Sequence, residues 1–588
     1  MHSQTSSSSE SSRSGSPDTR ATTPSSTLEK SYLPQNYVYL ASTALSLPTL
    51  STLFDRHASS DRMGLIIDHS PNPAFPAQGE WVKESLPASE YSISSAYMVS
   101  TSSANCPIST DPVQASQHHI FSLAGLRSIF STTLAGSCTL HVLEKPSFVF
   151  PPLSHTVSRS LAPSTEGTSG NIPTLEEWQV LWASWDLITL QMIPRELLHQ
   201  KPIDLRHKCL FYIGHIPTFL DMLISKSIGG EATEPKYFWD IFERGIDPHV
   251  DDPDHCHNHS EVPEKDEDWP TIETIILFRD RVRARLRRLY DDIATGKRVL
   301  TRNIARTLVM THEHEGWHVE TLLYMVIQRA GFGTLPPAGF TVPPWEDLVR
   351  QWASIPAPST PGVLVGPATV ILGHQDSEGD DKSPELSEDV VGRTFGWDNE
   401  SPPRAVHVGQ FKAEWRLVTN GEFEVFWRGP GKDLVEMPKN WFEDEAGIKV
   451  RTVFGLIPID IAANWPVLTS YDDLARYAEY KGGRLPTEAE LRLFLDLYDV
   501  GHEGGANVGF RHWHPIPGNM GLEAYSGKGS NGGVWEWTST HFDNHEGMVP
   551  TQLFTGYSTD FFDTKHQVVV SISSSFWFDL PIFKTYSL

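Results

Sequence analysis

Between residues 174 and 353, apolar side chains recur every three or four positions, the spacing of helices that bury one face. Trp178, Leu181, Trp182, Trp185 and Leu190 mark a first helix. Thr174, followed by Leu175, Glu176 and Glu177, signals its start with a capping hydroxyl and an acidic first turn. The pattern predicts a second helix over 204–225, carried by Leu210, Phe211, Ile213, Phe219, Leu220 and Leu223. A third is predicted over 272–293, and a fourth over 302–330, stopped by Gly331 and Gly333. A polar insert, 229–270, separates the second helix from the third. Four such helices with one long crossover predict a four-helix bundle, a scaffold that builds metal sites from inward side chains on facing helices.

The flanking regions follow other patterns. Residues 1–30 are Ser- and Thr-rich with almost no apolar side chains, and predict a disordered tail. Residues 31–152 alternate short apolar runs with Ser, Pro and Gly clusters and predict a small α/β region. Its expected strands lie at Leu65–Ile67 and Cys138–Val142, with a helix over 114–130. A linker, 153–173, follows. From 354 to 588 the chain is rich in Gly, Trp and short strand-like runs, with one clear helix near 471–481, which predicts an irregular α+β domain.

Composition narrows the function classes. A chain of 588 residues exceeds one core, and length alone suggests about three or four domains. Its net charge of −26 argues against nucleic-acid binding, which needs clustered cations. The one basic run, 279–288 (RDRVRARLRR), is expected to be the solvated face of a helix. Four dispersed cysteines without a CxxC pair form neither a disulfide framework nor a thiolate zinc site, which fits a reducing cytoplasm. No run of eighteen apolar residues is present and the N-terminus lacks a signal-peptide core, so neither secretion nor a membrane span is expected.

The candidate chemistry sits in the fourth helix. His314 and His318 are four residues apart, so both rings leave one helical face and can share a metal ion. With Glu315 they spell HExxH, the zinc-peptidase pattern in which the glutamate is a general base. The usual downstream third ligand is missing: the next residues, 321–325, are TLLYM. His215 lies mid-helix among apolar residues in the second helix and is the candidate third ligand. Three neutral imidazoles suit Fe(II) or zinc, and ligand type alone does not choose. A rival cluster, His249, His255, Cys256, His257 and His259, sits in an acidic loop without fixed geometry.

These motifs resemble a known family. Residues 212–221 (YIGHIPTFLD) and 314–320 (HEGWHVE) are similar to the DinB-like iron-binding domain of ergothioneine-biosynthesis sulfoxide synthases, and 242–248 (FERGIDP) to the insert of the fungal type. Residues 395–400 (FGWDNE), 418–423 (VTNGEF), 482–490 (GGRLPTEAE) and 532–538 (GGVWEWT) resemble that family's second half, a formylglycine-generating-enzyme-like domain of C-type-lectin fold. Formylglycine generation itself needs cysteines in that domain, and none follows Cys256.

The resemblance implies a DinB-like bundle over 174–353, a lectin-like domain over 354–588 and a methyltransferase remnant at 31–152. It also implies an Fe(II)- and O2-dependent oxidoreductase joining a cysteine-type thiol, cysteine or glutamyl-cysteine, to hercynine as a sulfoxide. By residue-by-residue carry-over, His215, His314 and His318 hold the iron. Arg279 pairs with the thiol substrate's carboxylate, and Tyr557, in 554–562 (FTGYSTDFF), donates a proton. Glu320, two residues past His318, is expected to support or pack. No glycine-rich cofactor loop is visible, so methyl transfer is not expected. After residue 570 the family's glycine- and arginine-rich closing strands have no counterpart, and the last eighteen residues contain no arginine. The expectation is therefore an intact iron site with unpaired backbone at that edge and weakened activity, or an inactive relic or scaffold of the same shape.

Overall fold

The computed structural model describes residues 37–58, 62–71, 121, 124, 126–133, 137–144, 172–203, 206–243, 248–249, 252–256, 262–328, 342–355, 358–500, 506–518, 529–571 and 585–587. The 1–30 tail, the 153–171 part of the linker and the glycine stop at 331–333 lie outside the described residues.

The first unit is a four-stranded sheet. β1 (Tyr37–Ala41) runs parallel to β2 (Arg62–Asp68) through the crossover helix α1 (Leu47–His57). β3 (Arg127–Thr133) and β4 (Cys138–Glu144) complete the order β1-β2-β4-β3. Val38, Leu40, Met63, Leu65 and Ile67 pack with Leu50, Leu53 and Phe54 of α1. β2 and β4 contain the expected strands. The helix expected over 114–130 is corrected at its C-terminal end, where Arg127–Thr133 pairs antiparallel with β4. Its helical-looking spacing yields there to the ladder hydrogen bonds that β4 offers.

The bundle is built from α2 (Leu175–Leu187), α3 (Cys209–Ile228), the short α4 (Phe238–Phe242), α5 (Ile272–Ala294) and α6 (Arg302–Ile327). Between α4 and α5, a two-stranded ribbon pairs β5 (Pro248–His249) with β6 (Asp252–Cys256). The ribbon carries His249 and His255, but the side chains of that cluster, and His257 and His259 altogether, lie outside the described residues. The α2 start is a full capping box: Thr174 Oγ1 accepts from the Glu177 amide, and Glu177 accepts from the Thr174 amide. The core joins Trp178, Leu181 and Trp185 of α2 to Phe211 and Ile216 of α3, Phe278 and Val282 of α5, and Leu308 and Leu322 of α6. Among the described residues, no helix is long and apolar enough to cross a membrane.

The basic run on α5 is a solvated face only at Arg281, Arg287 and Arg288, which are exposed; for the other three arginines that expectation is corrected. Arg279 and Arg283 are buried and bridge to Asp186 of α2 at 2.8 and 2.9 Å. Arg285 bridges at 2.7 Å to Asp221 of α3, and Arg287 lies over the Trp182 ring. Three of the six arginines, Arg279, Arg283 and Arg285, meet aspartates on two neighbouring helices and form an ion-pair seam. Asp221 is fully buried and also accepts from the Thr233 amide and the Trp239 indole. That carboxylate ties the crossover after α3 to the helix it leaves.

After α7 (Trp345–Ala353), the third unit is small sheets wrapped in loops. β7 (Gly362–Val365) pairs with β10 (Phe411–Glu414), and β8 (Ala368–Leu372) with β9 (Arg404–Val408). β11 (Trp441–Asp444), β12 (Gly447–Thr452) and β13 (Gly455–Pro458) form a meander. Three main helices decorate them: α8 (Asn420–Arg428), α9 (Tyr471–Tyr480) and α10 (Glu488–Tyr498). Only α9 is expected from apolar spacing; α8 and α10 begin with capping boxes at Thr419 and Thr487 inside the VTNGEF and GGRLPTEAE motifs. β14 (Trp535–His541) and β15 (Gln567–Ser571) are joined by β16 (Thr585–Ser587). β15 therefore has neighbours on both sides, and one edge of this sheet lies at β16.

A buried ionic contact docks this unit on α6. Arg302, with no exposed surface, donates to Asp376 at 2.7 Å, and Arg306 donates to the same carboxylate and to Asp381. Burial alone would raise the Asp376 carboxyl, but hydrogen bonds and charge from Arg306, then Arg302, hold it below the usual carboxylate range. The sign follows from linkage: a carboxyl depressed in the folded state stabilises the protein above its unfolded value near 3.8, and loses that stabilisation as pH falls through the folded value. Asp376→Asn leaves two buried cations short of a partner. It is expected to destabilise the protein at pH 7 by about 3 kcal/mol, and to flatten the acid limb below pH 4 relative to wild type. Denaturant titrations at pH 7 and between pH 2 and 4 measure both effects.

Candidate metal centre

α3 and α6 bring His215, His314 and His318 together. One ligand atom from each lies within 4.8 Å of the others, and this is the cluster of His, Cys, Asp and Glu ligands found among the described residues. His215 Nε2 and His314 Nε2 stand 3.3 Å apart. Two metal–nitrogen bonds of about 2.1 Å subtend an edge of about 3.0–3.4 Å, so the spacing fits a shared ion. His215 Nδ1 lies 2.8 Å from the Phe242 carbonyl, which can only accept, so that nitrogen carries the proton and the Nε2 lone pair is free to face the cluster. His318 Nδ1 is buried without a hydrogen-bond partner among the described residues. Burial first, and the neighbouring imidazoles second, hold His314 and His318 well below the ordinary histidine value, so both are neutral ligands at physiological pH. The donor set and the orphaned nitrogen both fit a bound divalent ion.

Each ligand ring is set by an aromatic neighbour. Phe219 stacks on His314 at 3.8 Å, Phe211 is parallel to His215 at 5.4 Å, and Tyr212 lies 5.7 Å from His318. The Phe242 carbonyl reaches His215 because the preceding residue is Gly214: a Cβ there would sit 2.6 Å from the Phe242 ring. The shared wall beside the cluster is made by both units, with Phe219, Met222, Leu223 and Met310 from the bundle and Trp397, Leu553 and Phe554 from the third unit.

The other expected residues fall in different places. Tyr557 is brought to the cluster, its ring 6.0 Å from His314 and 5.8 Å from Phe219. Arg279 departs from the expectation: its Nη1 serves Asp186, and its Nε and Nη2 serve Asp280. A substrate carboxylate would have to displace an aspartate already in place. Glu320 accepts from the Trp535 indole at 2.6 Å, a contact between units. Glu315 lies 3.9 Å from Arg283 on the α5 side, and burial pushes its carboxyl up to about 7. It is turned away from the histidines, which removes the general base that a HExxH hydrolase requires.

The apolar pattern missed the residues that frame the cluster. The Trp397 indole donates to Glu313 of α6 at 2.9 Å, and the Phe242 carbonyl is backbone. FGWDNE flagged the first only as a motif; nothing in side-chain chemistry could flag the second. A cavity of about 1370 Å³ runs between the C-terminal half of α6 and the third unit, bordered by Glu320, Tyr324, Arg206, Arg451 and Trp535. Its volume exceeds that of most small-molecule sites, which span about 300–1,000 Å³.

Comparison with known proteins places these features. Residues 176–322 match the DinB superfamily, and 370–494 match the sulfatase-modifying factor enzyme 1-like domain. Ergothioneine biosynthesis protein 1 of Neurospora crassa is 35% identical over 556 residues, covering 77% of this chain and 58% of the relative. The protein of the same name from Schizosaccharomyces pombe is 35% identical over 418 residues, covering 68% and 52%. The chain is similar to the fungal ergothioneine biosynthesis proteins. It is also 29% identical over 217 residues to the hercynine oxygenase of Mycobacterium tuberculosis, covering 31% of this chain and 50% of that protein. The chain spans little more than half the length of the fungal relatives it matches.

Two outcomes follow for metal binding. His314→Ala is expected to abolish high-affinity binding of one divalent ion, read by anaerobic Co(II) titration. Gly214→Ala keeps all three ligands but forces the Phe242 ring away and breaks the Nδ1 contact of His215. Its expected effect is a 10- to 100-fold loss of Co(II) affinity with the fold retained by circular dichroism.

Proposed function

We propose that this protein is a mononuclear non-haem Fe(II) oxidoreductase that joins a cysteine-type thiol to the imidazole of hercynine, giving a sulfoxide in ergothioneine biosynthesis. The observation that carries the reading is the convergence of three neutral, aromatic-braced histidines from α3 and α6 beside a tyrosine from the third unit. The names of the relatives and the two matched domains support the same assignment.

In this reading His215, His314 and His318 hold the iron, which when bound supplies O2 activation and coordination of the thiol. Three protein ligands on one side leave positions for small-molecule substrates, so thiol, imidazole and O2 meet by proximity. The Phe242 carbonyl fixes the His215 ring, and the Phe219 face fixes His314. The apolar wall of Met222, Met310, Trp397 and Phe554 excludes water from that side. Tyr557, whose ring borders His314, is the proton donor.

A scaffold or relic of the same shape is the competing reading, and a neutral ligand triad is what it has no use for. Anaerobically Fe(II)-loaded protein, given hercynine, O2 and either cysteine or glutamyl-cysteine, is expected to form the sulfoxide, detected by mass spectrometry. Tyr557→Phe is expected to lower that rate by roughly 10²- to 10⁴-fold, the usual contribution of a positioned acid, with iron stoichiometry unchanged. One iron bound with no sulfoxide from either thiol would overturn the catalytic reading.

A further inference from the structure

We infer that Trp397 and Asp398, adjacent residues of the 395–400 loop, are positioning residues that hold Tyr557 over the histidine cluster. The inference rests on the functional reading above and assigns the part of the protein that sets the tyrosine's place. Tyr557 lies in a turn, its amide donating to the Phe554 carbonyl at 3.3 Å, and that turn needs an anchor on the protein around it. Two adjacent side chains supply one. The Trp397 ring lies 4.4 Å from the Tyr557 ring at 30°, and the Phe554 ring meets the same tyrosine at 5.7 Å and 83°. The Trp397 indole is itself pinned, by its hydrogen bond to Glu313 and by the Trp317 ring at 4.6 Å. Both pinning residues are on α6, within one residue of His314 or His318. The chain from metal ligand to tyrosine is therefore a short run of ring contacts and one charge-assisted hydrogen bond.

Asp398 fixes the same loop by its backbone and by the next side chain. One carboxylate oxygen accepts from the Ser558 hydroxyl and the other from the Thr551 amide at 2.9 Å. The carboxylate thus spans the two ends of the 551–558 loop and grips it one residue after Tyr557. Glu378 accepts from the Gln552 amide at 2.9 Å, and Lys226 of α3 donates to the Leu553 carbonyl at 2.7 Å. Those contacts secure the front of the loop, but the residue beside Tyr557 is held by Asp398. Trp397 fixes the ring and Asp398 fixes the backbone.

Two readouts test the pair, one of them independent of turnover. In metal-free full-length protein, nitration of Tyr557 by tetranitromethane, quantified by peptide mass spectrometry, reports how often the ring leaves its stack. Asp398→Asn and Ser558→Ala weaken the same bond from its two ends, and each is expected to speed Tyr557 nitration about tenfold with the melting temperature nearly unchanged. Trp397→Phe keeps a ring but loses the Glu313 contact, and is expected to act in the same direction. In the Fe(II)-loaded enzyme, Asp398→Asn and Tyr557→Phe are expected to lower kcat with little change in KM, and the double variant to be no slower than Tyr557→Phe alone. Unchanged nitration in both Asp398→Asn and Ser558→Ala overturns the positioning role, as do losses that multiply in the double variant. Faster nitration with no effect of Tyr557→Phe on turnover upholds the positioning role and instead removes Tyr557 from the chemistry.

Discussion

The structure depends on one carboxylate buried between two units. Asp376 sits against Arg302 and Arg306 on the first two turns of α6, and the same helix carries His314 and His318 two turns further on. A buried pair of this kind is a poor source of net stability, because desolvation consumes much of the attraction. Its value is in register: an uncompensated guanidinium in that position is so costly that the third unit has one way to dock. Docking in that register brings Trp397 to Glu313, Trp535 to Glu320 and Tyr557 to His314.

Within the bundle, a second set of buried charges does comparable work. Asp221 and Asp186 collect Arg285, Arg279 and Arg283 from α5, and Asp221 also gathers Thr233 and Trp239 from the crossover. The crossover so held ends in α4, whose Phe242 carbonyl sets the His215 ring. The metal-binding geometry thus rests on carboxylates that never approach the metal. This also explains why Arg279, the residue expected at the substrate, is found at a helix seam. A guanidinium on a buried helix face pairs with whatever fixed carboxylate is nearest.

The aromatic side chains divide the remaining labour. Phe211, Phe219 and Tyr212 brace the ligand rings from the bundle, while Trp397 and Phe554 reach in from the other unit. The wall is apolar, and a separate cavity bordered by Glu320 and Tyr324 of α6 is lined with arginines and tryptophans from the third unit.

Much of the bundle was legible in the sequence, because apolar spacing and capping are local properties. The α2 capping box, the length of α5 and the start of α6 all follow from residues within a few positions of one another. The i, i+4 relation of His314 and His318 is likewise a property of any helix, and it raised the metal reading before any fold was known. The sequence did not determine α8 and α10 from periodicity, nor that residues 127–133 are a strand, since strand pairing is decided by a partner. Read as a solvated face, the basic run on α5 holds to that reading only at Arg281, Arg287 and Arg288, because an arginine becomes part of a seam or of the surface according to which helix lies opposite. Only the tertiary structure decided that Glu315 turns from the histidines, that a backbone carbonyl at Phe242 orients His215, and that Trp397 stacks on Tyr557. Each of those facts joins residues tens to hundreds of positions apart, and packing, not local preference, chooses such neighbours.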